Sequence, residues 1–171
     1  ANYCSIGAGS PSHLAAELFK SMTKIEMAHV AHKGSGPAIV DTIGNTCQVL
    51  FDSAVSSGPQ VRAGKLKALA IGTSERAASW PAVPTVAESG VPGFNAYTWG
   101  AMLAPAGTPK PIVAKINAEV VRILASDEVR EALAAQGAIP GKGSPADLAA
   151  FADLEIAKWA KVIKDGNIKP E

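Results

Sequence analysis

Short apolar segments alternate with helical segments over the first 71 residues of this chain, and that alternation constrains the fold most. The helical segments are bounded by glycine or proline, as where Pro11 follows Ser10, a pair that is typical of a helix N-cap and first turn. Because apolar strands must be covered on both faces, the short helical connections indicate a parallel sheet between helix layers. The pattern therefore predicts an α/β fold with a doubly wound, mainly parallel sheet, whose strands are expected at residues 2–6, 27–31, 47–51 and 66–71.

Residues 80–94 interrupt this alternation. They contain three prolines and are predicted to form a loop-rich crossing, with one helical turn at residues 85–89. An extended segment at residues 97–103 is expected to link two lobes. Trp99 lies in this segment, where an aromatic ring either walls a ligand cleft or fills the core.

The last third of the chain is predicted to be helical. Helices are expected to start near Thr108, Ser126 and Ser144, where an aspartate three residues after Ser144 suggests a capping box. Since these helices have no strands of their own to cover, we expect a lobe at residues 1–97 and helices at residues 98–171 that pack on a second, incompletely represented lobe. The chain begins inside a predicted strand with no Met before it, so we expect it to be a piece of a longer protein.

Charge and composition exclude several classes of protein. The 16 Lys and Arg residues nearly cancel the 15 Asp and Glu residues, which leaves a net charge of +1 and no electrostatic basis for binding nucleic acid. Apolar residues make up 47% of the chain, which is too many for an intrinsically disordered protein. No apolar run approaches the roughly 20 residues that a membrane-spanning helix needs. We therefore expect a folded protein without a nucleic-acid partner.

Residues 7–12, which we call the glycine loop, lie between the first predicted strand and the first predicted helix. Free backbone N–H groups and the positive end of the helix dipole make this position suitable for an anion. A dinucleotide site would need a glycine in place of Ser12 and an acidic residue after the second strand, where His32 and Lys33 stand instead. The glycine loop therefore favours a small anion, most simply a carboxylate, and an ordinary capped helix is the alternative.

Ser5 or Ser10, together with His13 and Asp52, has the residue types of a hydrolase triad. No Gly-x-Ser-x-Gly elbow is present, and Pro11 after Ser10 suits a helix cap better than a nucleophile. We therefore expect no catalytic residues in this chain.

Asp52 ends the third predicted strand, at the sheet edge where open α/β sheets bind ligands. Its carboxylate either accepts a hydrogen bond from a ligand amine or hydroxyl, orients Ser10 or His13, or caps the next helix. These interpretations stay open at the level of sequence.

His13, His29 and His32 have no convincing zinc-ligand spacing with the two cysteines, so we expect structural histidines, no metal and no cofactor. Cys4 and Cys47 lie near the starts of the first and third predicted strands. A disulfide between them is compatible with an oxidising compartment, and two buried thiols are the alternative.

A further signal is spread over essentially the whole chain, in residues 2–14, 29–34, 49–53, 63–70, 83–88, 103–109, 134–137 and 155–159. Together these segments resemble the Bug family of periplasmic solute-binding receptors, the extracytoplasmic solute receptors of tripartite tricarboxylate transporters. Two cysteines depart from the family pattern, because Cys4 stands where a glycine is usual and Cys47 where a valine is common. His32 stands where a tyrosine is usual.

The resemblance implies a periplasmic-binding-protein-like (type II) fold, in which two α/β lobes close on a small carboxylate. Residues 1–97 are similar to the second lobe of the family, and the C-terminal helices would return to the first lobe. Mapped by position, the expected ligand-binding residues are Ser5, Ala8, Gly9, Ser10 and His13, with Asp52 nearby.

We therefore expect a non-enzymatic receptor in the periplasm. Its ligand would be a mono- or dicarboxylate, an amino acid or an aromatic acid, and its partners would be the membrane subunits of the transporter. The effector-binding domain of a transcription regulator shares the two-lobed architecture and is the main alternative, and a Ser/His/Asp hydrolase is a weaker one.

Overall fold

The computed structural model describes residues 1–169, which form three strands and six helices. The first six elements alternate between strand and helix, as the sequence predicts, and the last three are helices that follow one another. In chain order the elements are β1 (Asn2–Ser5), α1 (Pro11–Thr23), β2 (Ala28–Ala31), α2 (Ser35–Ile43), β3 (Val49–Leu50), α3 (Ala54–Arg62), α4 (Lys110–Leu124), α5 (Asp127–Ala135) and α6 (Pro145–Asp165).

β1 is the central strand of the sheet, which in the described residues is parallel and has the order β2-β1-β3. Tyr3 pairs with His29 on one side and with Val49 on the other. Because β1 has a strand on each edge, Tyr3, Cys4 and Ser5 are completely buried. This arrangement confirms the predicted α/β fold with a parallel sheet.

Different helices cover the two faces of the sheet. Tyr3 packs against Ala16 of α1 on one face, whereas Cys4 packs against Ala38 of α2 and against Cys47 on the other. Successive side chains of a strand point to opposite faces, so these neighbouring residues of β1 belong to separate apolar clusters. The sheet is therefore doubly wound, as the apolar character of its strands predicts.

The strand predicted at residues 66–71 is wrong. In the described structure only Ile71 pairs with another segment, through an isolated parallel bridge to Thr85. Leu69 is 63% exposed, where a strand of a covered sheet would bury it. Apolar side chains suggest a strand, but a strand forms only where a neighbouring backbone satisfies its hydrogen bonds.

The proline-rich crossing is held together by local hydrogen bonds. In the turn predicted at residues 85–89, Thr85 N donates to Glu88 Oε2 at 2.7 Å and Glu88 N donates to Thr85 Oγ1 at 3.0 Å. Further along, Ala96 N donates to Gly72 O at 2.8 Å. A Cβ atom at Gly72 would lie 2.0 Å from the Ala96 carbonyl oxygen, so this close approach of two backbones requires glycine.

Serine caps determine where three of the six described helices begin. The hydroxyls of Ser10, Ser53 and Ser144 each accept a hydrogen bond from the backbone N–H three residues later. The predicted capping box is present, because Asp147 also accepts the Ser144 N–H, and this hydrogen bond lowers the pKa of Asp147. Ser126 differs, because its hydroxyl donates to the preceding turn and leaves α5 without a side-chain cap.

α6 packs against α1 on the outside of the sheet. Trp159 of α6 contacts an apolar cluster centred on Phe94, which also includes Leu18 and Phe19 of α1. The helical stripe predicted for α6 is only partly buried, since Ile156 is 67% exposed. No residue of α4 or α5 is buried.

The division of the chain into residues 1–97 and 98–171 stays a prediction. Residues 170 and 171 of the second segment lie outside the described residues. None of the described helices is both long enough and apolar enough to cross a membrane.

Candidate functional site

The glycine loop connects the buried end of β1 to the first turn of α1. Ser10 N donates to Gly7 O at 3.2 Å, which closes a turn, and Gly9 has a φ of 70°, in the left-handed region that favours glycine. Ala8, Gly9 and Ser10 are half-buried, so the loop is accessible to solvent on one side. This position at the carboxyl end of the central strand is where ligands bind in open α/β sheets.

Most N–H groups of the glycine loop are already hydrogen-bonded within the protein. Gly9 N donates to His13 Nδ1 at 3.0 Å, and Gly7 N donates to a serine hydroxyl. The loop therefore keeps only some of the free N–H groups that make this position suitable for an anion. Among the described residues, the N–H groups of Ala8 and Ser12 donate to no protein acceptor. Ala8 is half-buried, whereas Ser12 is buried, so the Ala8 amide is the more accessible of the two to an anion.

Ser10 provides a third donor at the same place. Its Oγ accepts the N–H of His13 at 3.2 Å as the N-cap of α1. A serine hydroxyl has one proton and two lone pairs, and the cap uses a lone pair. The Ser10 hydroxyl can therefore cap the helix and donate its proton to a carboxylate at the same time.

Ser5 supports the glycine loop from inside the protein. Its side chain is completely buried, and its Oγ lies 2.6 Å from His29 Nε2, 3.1 Å from Gly7 O and 3.2 Å from Gly7 N. These three contacts direct the hydroxyl towards the loop backbone. A direct contact between Ser5 and a ligand, which the family resemblance implies, stays a prediction.

Three stacked rings lie beneath the glycine loop. The ring centroids of His13 and His29 are 3.9 Å apart, and those of His29 and Tyr3 are 4.9 Å apart. Burial lowers the pKa of both histidines, because a buried imidazolium loses its hydration, and the neighbouring His13 lowers the pKa of His29 further. Both imidazoles are therefore neutral at pH 7.

Glu17 belongs to this cluster, although the sequence analysis did not identify it. It accepts hydrogen bonds from Tyr3 Oη at 2.6 Å and Lys20 Nζ at 2.8 Å, and lies 4.0 Å from His13 Nε2. Burial by itself would raise the pKa of Glu17, but the hydrogen bonds from Lys20 and Tyr3 hold it below its usual value. The sequence did contain a signal for this contact, because residues four positions apart on a helix, such as His13 and Glu17, lie on the same face.

The free energy of unfolding is expected to fall as pH is lowered from about 7.5 to about 5.5. Unfolded histidine has a pKa of about 6.5, and the folded pKa values of His13 and His29 lie below it. Between these values the unfolded chain binds more protons than the folded chain, so stability decreases as pH decreases. The loss begins near the unfolded pKa and is complete below the folded pKa.

Urea unfolding at a series of pH values measures this dependence. In a plot of unfolding free energy against pH, the variant His29→Gln is expected to have a smaller slope than the unmodified chain. Equal slopes in the two proteins would contradict the assignment of a neutral, buried His29.

Asp52 follows β3 and is held by two serines. Ser35 Oγ donates to Asp52 Oδ1 at 3.0 Å, and Ser57 Oγ donates to Oδ2 at 2.6 Å. Ser53 is the N-cap of α3, so the interpretation of Asp52 as a helix cap is wrong. In the described structure Asp52 has no hydrogen bond to His13, and the hydrolase-like triad is not assembled.

Cys4 and Cys47 form a disulfide, with an S–S distance of 2.00 Å and a Cα–Cα distance of 5.6 Å. The structure thus decides between the two interpretations that the sequence left open. His32 lies on the same side of the sheet, with its Nε2 atom 2.8 Å from Asp41 Oδ2 and 4.0 Å from Cys4 Sγ. His32 is therefore separate from the stacked pair of His13 and His29.

Trp99 is not a core residue. It is 42% exposed and packs edge-on against Phe151, with their ring centroids 5.2 Å apart. Trp99, Ile156 and Trp159 line an apolar groove of about 390 Å³ along α6. No residue of the glycine loop lines this groove, so it is distinct from the candidate anion site.

Similarity to known proteins identifies the family of this chain. Residues 1–168 match the family model described as the tripartite tricarboxylate transporter family receptor. Protein BugT of Bordetella pertussis is 40% identical over 161 residues, which cover 94% of this chain and 49% of BugT. The chain therefore spans about half the length of this curated relative.

Two solved structures are similar to this chain in both fold and sequence. The structure of Rpa4515 from R. palustris with adipate has a TM-score of 0.86 and 39% identity, and covers 99% of this chain and 57% of that chain. MatC from Rhodopseudomonas palustris with bound malate has a TM-score of 0.78 and 36% identity, and the match covers 95% of this chain and 56% of that chain. These similarities confirm the fold class that the family resemblance implies.

Proposed function

Because this chain belongs to the tripartite tricarboxylate transporter receptor family, we propose that it binds a small carboxylate at the glycine loop. The observation that supports the proposal is that three hydrogen-bond donors with no protein acceptor lie in the glycine loop, at the N terminus of α1. These donors are the N–H groups of Ala8 and Ser12 and the hydroxyl of Ser10.

The chemistry of binding follows from these donors. A carboxylate accepts charge-assisted hydrogen bonds, which are shorter and stronger than neutral ones. The N terminus of α1 adds the positive end of the helix dipole, whose effect is largest within the first turn. The near-neutral net charge of the chain is compatible with this mechanism, because the anion is held by local dipoles.

Asp52 is proposed to contribute to selection of the ligand. Its two carboxylate oxygens already accept hydrogen bonds from Ser35 and Ser57, which fix the orientation of the group. A carboxylate retains further lone pairs, so it can accept a hydrogen bond from a ligand hydroxyl or amine. Such a contact would favour hydroxy acids and amino acids over simple carboxylates.

The solved relatives support a carboxylate as the ligand class. Rpa4515 was solved with adipate and MatC with bound malate, and these two ligands are dicarboxylates. Monocarboxylates, amino acids and aromatic acids remain within the proposal, and competition against adipate and malate would rank them.

We also propose that the protein acts in the periplasm and delivers its ligand, without chemical turnover, to the membrane subunits of a tripartite transporter. The family supports this role, and the disulfide between Cys4 and Cys47 suits an oxidising compartment. Closure of two lobes around the carboxylate is the kind of rearrangement that a membrane partner can recognise.

Replacing Ser10 with alanine is expected to weaken binding of adipate or malate by about 1 to 2 kcal/mol, the loss of a hydrogen bond to a charged group. The variant also loses its helix cap, which reduces the free energy of unfolding by about 1 kcal/mol. Isothermal titration calorimetry measures the affinity, and urea unfolding measures the stability.

Ser144→Ala is the matched control. Ser144 caps α6 with the same contact that Ser10 makes in α1, but it lies outside the glycine loop. Both variants are therefore expected to lose similar stability, and only Ser10→Ala is expected to lose affinity. Equal affinities in the two variants would remove Ser10 from the proposed site.

A further inference from the structure

His13 holds the glycine loop in place through a contact that depends on its protonation state. Gly9 N donates to His13 Nδ1 at 3.0 Å, so Nδ1 carries no proton in this conformation. The other ring nitrogen, Nε2, faces Glu17 at 4.0 Å. A neutral imidazole with its proton on Nε2 accepts the Gly9 N–H and turns its own N–H towards the Glu17 carboxylate, beyond hydrogen-bonding distance.

A proton added to His13 would break this arrangement. It would occupy Nδ1 and face the N–H of Gly9, so that two donors would point at each other. The stacked ring of His29, 3.9 Å away, offers no compensating negative charge. Since Gly9 lies between the proposed ligand donors Ala8 and Ser10, release of its N–H would disturb the donor geometry.

The other charged groups around His13 do not remove this effect. On α1, Glu17 is already bound to Lys20 and to Tyr3 of β1, and on β2 the nearest titratable group is His29. From α6, which packs on α1, Glu155 pairs with its own neighbours Lys158 and Trp159. His32 on β2 contacts Asp41 instead. Burial lowers the pKa of His13 and the charge of Lys20 lowers it further, and together they outweigh the Glu17 carboxylate, which raises it.

We propose that His13 is a positioning residue which fixes the glycine loop for carboxylate binding only while its imidazole is neutral, so that acidification weakens binding. This inference rests on the proposed function, because it assigns a proton-linked control to the same site. A change of pH in the surroundings of the receptor would then alter the amount of ligand it holds.

Adipate affinity at pH 7.5 and pH 5.5 tests the proposal in the 171-residue chain. The affinity of the unmodified chain is expected to fall on acidification by a factor that approaches about fivefold as His13 becomes protonated, the effect of losing one hydrogen bond. His13→Asn keeps an acceptor at the position of Nδ1 but does not titrate in this range. Between pH 7.5 and pH 5.5, the affinity of this variant is expected to fall only by the amount that protonation of adipate itself causes.

Two further variants separate the possible causes. His13→Leu removes the acceptor and is expected to bind weakly at both pH values. His32→Gln removes a histidine that contacts Asp41 and is expected to keep the pH dependence of the unmodified chain. Equal pH dependence in the unmodified chain and in His13→Asn would overturn the proposal. Tighter binding in acid by the unmodified chain alone would also overturn it, because the imidazolium would then be a contact for the anion.

Nuclear magnetic resonance of the unliganded chain tests the contact without any ligand. The Gly9 amide resonance is expected to titrate together with the His13 ring, and to be insensitive to pH in His13→Asn. Independent titration of the Gly9 amide and the His13 ring would overturn the proposal. Failure to bind adipate or malate at any pH would instead count against the proposed function, and the amide titration would still decide the role of His13.

Discussion

The double variant Cys4→Ala/Cys47→Ala is expected to lose about 4 kcal/mol of unfolding free energy. The disulfide joins residues 43 positions apart, and closing a loop of that length restricts the unfolded chain by about 4 kcal/mol in the chain-entropy description. Both cysteines are completely buried, so the folded state also loses contacts with Ala38. Urea unfolding monitored by circular dichroism measures the difference.

Reduction provides the control for this experiment. A thiol reductant is expected to destabilise the unmodified chain to a similar extent, and to leave the double variant unchanged, because the described residues contain no free cysteine. If the unmodified chain and the variant unfold at the same urea concentration, the disulfide does not contribute to stability.

Replacing Phe94 with alanine is expected to cost about 3 to 5 kcal/mol of unfolding free energy, the usual range for a large buried aromatic residue. Phe94 is 2% exposed and packs edge-on against Phe19, with their centroids 6.1 Å apart. Its cluster also includes Val86 and Trp159, so the ring joins the proline-rich crossing to α1 and α6. The cavity would therefore weaken contacts among three parts of the chain.

Two control variants test whether the loss comes from the buried volume of Phe94. Phe94→Leu keeps most of the apolar volume and is expected to lose clearly less stability than Phe94→Ala. Leu103→Ala removes an apolar side chain that is 83% exposed and is expected to change stability by no more than about 0.5 kcal/mol. A loss of less than about 1 kcal/mol in Phe94→Ala would show that the crossing does not depend on this cluster.

The candidate site was predictable in part because helix caps follow local rules. Ser10 followed by Pro11 predicted the start of α1, and this start determines where the glycine loop and its donors lie. The stacking of His13 on His29 was not predictable, because it depends on how α1 lies across the sheet. The same is true of Asp52, whose partners Ser35 and Ser57 come from two different helices.

The amino-acid sequence by itself determined the order of the first six elements, most helix starts and the family of this protein. These features depend on apolar periodicity, on caps that involve residues three positions apart, and on motifs within single segments. The tertiary structure decided that residues 66–71 do not pair as a strand, that Cys4 reaches Cys47, and that His13 Nδ1 receives the Gly9 N–H. Each of these outcomes depends on which backbone or side chain comes within hydrogen-bonding or bonding distance after packing, and such distances are not determined by local sequence.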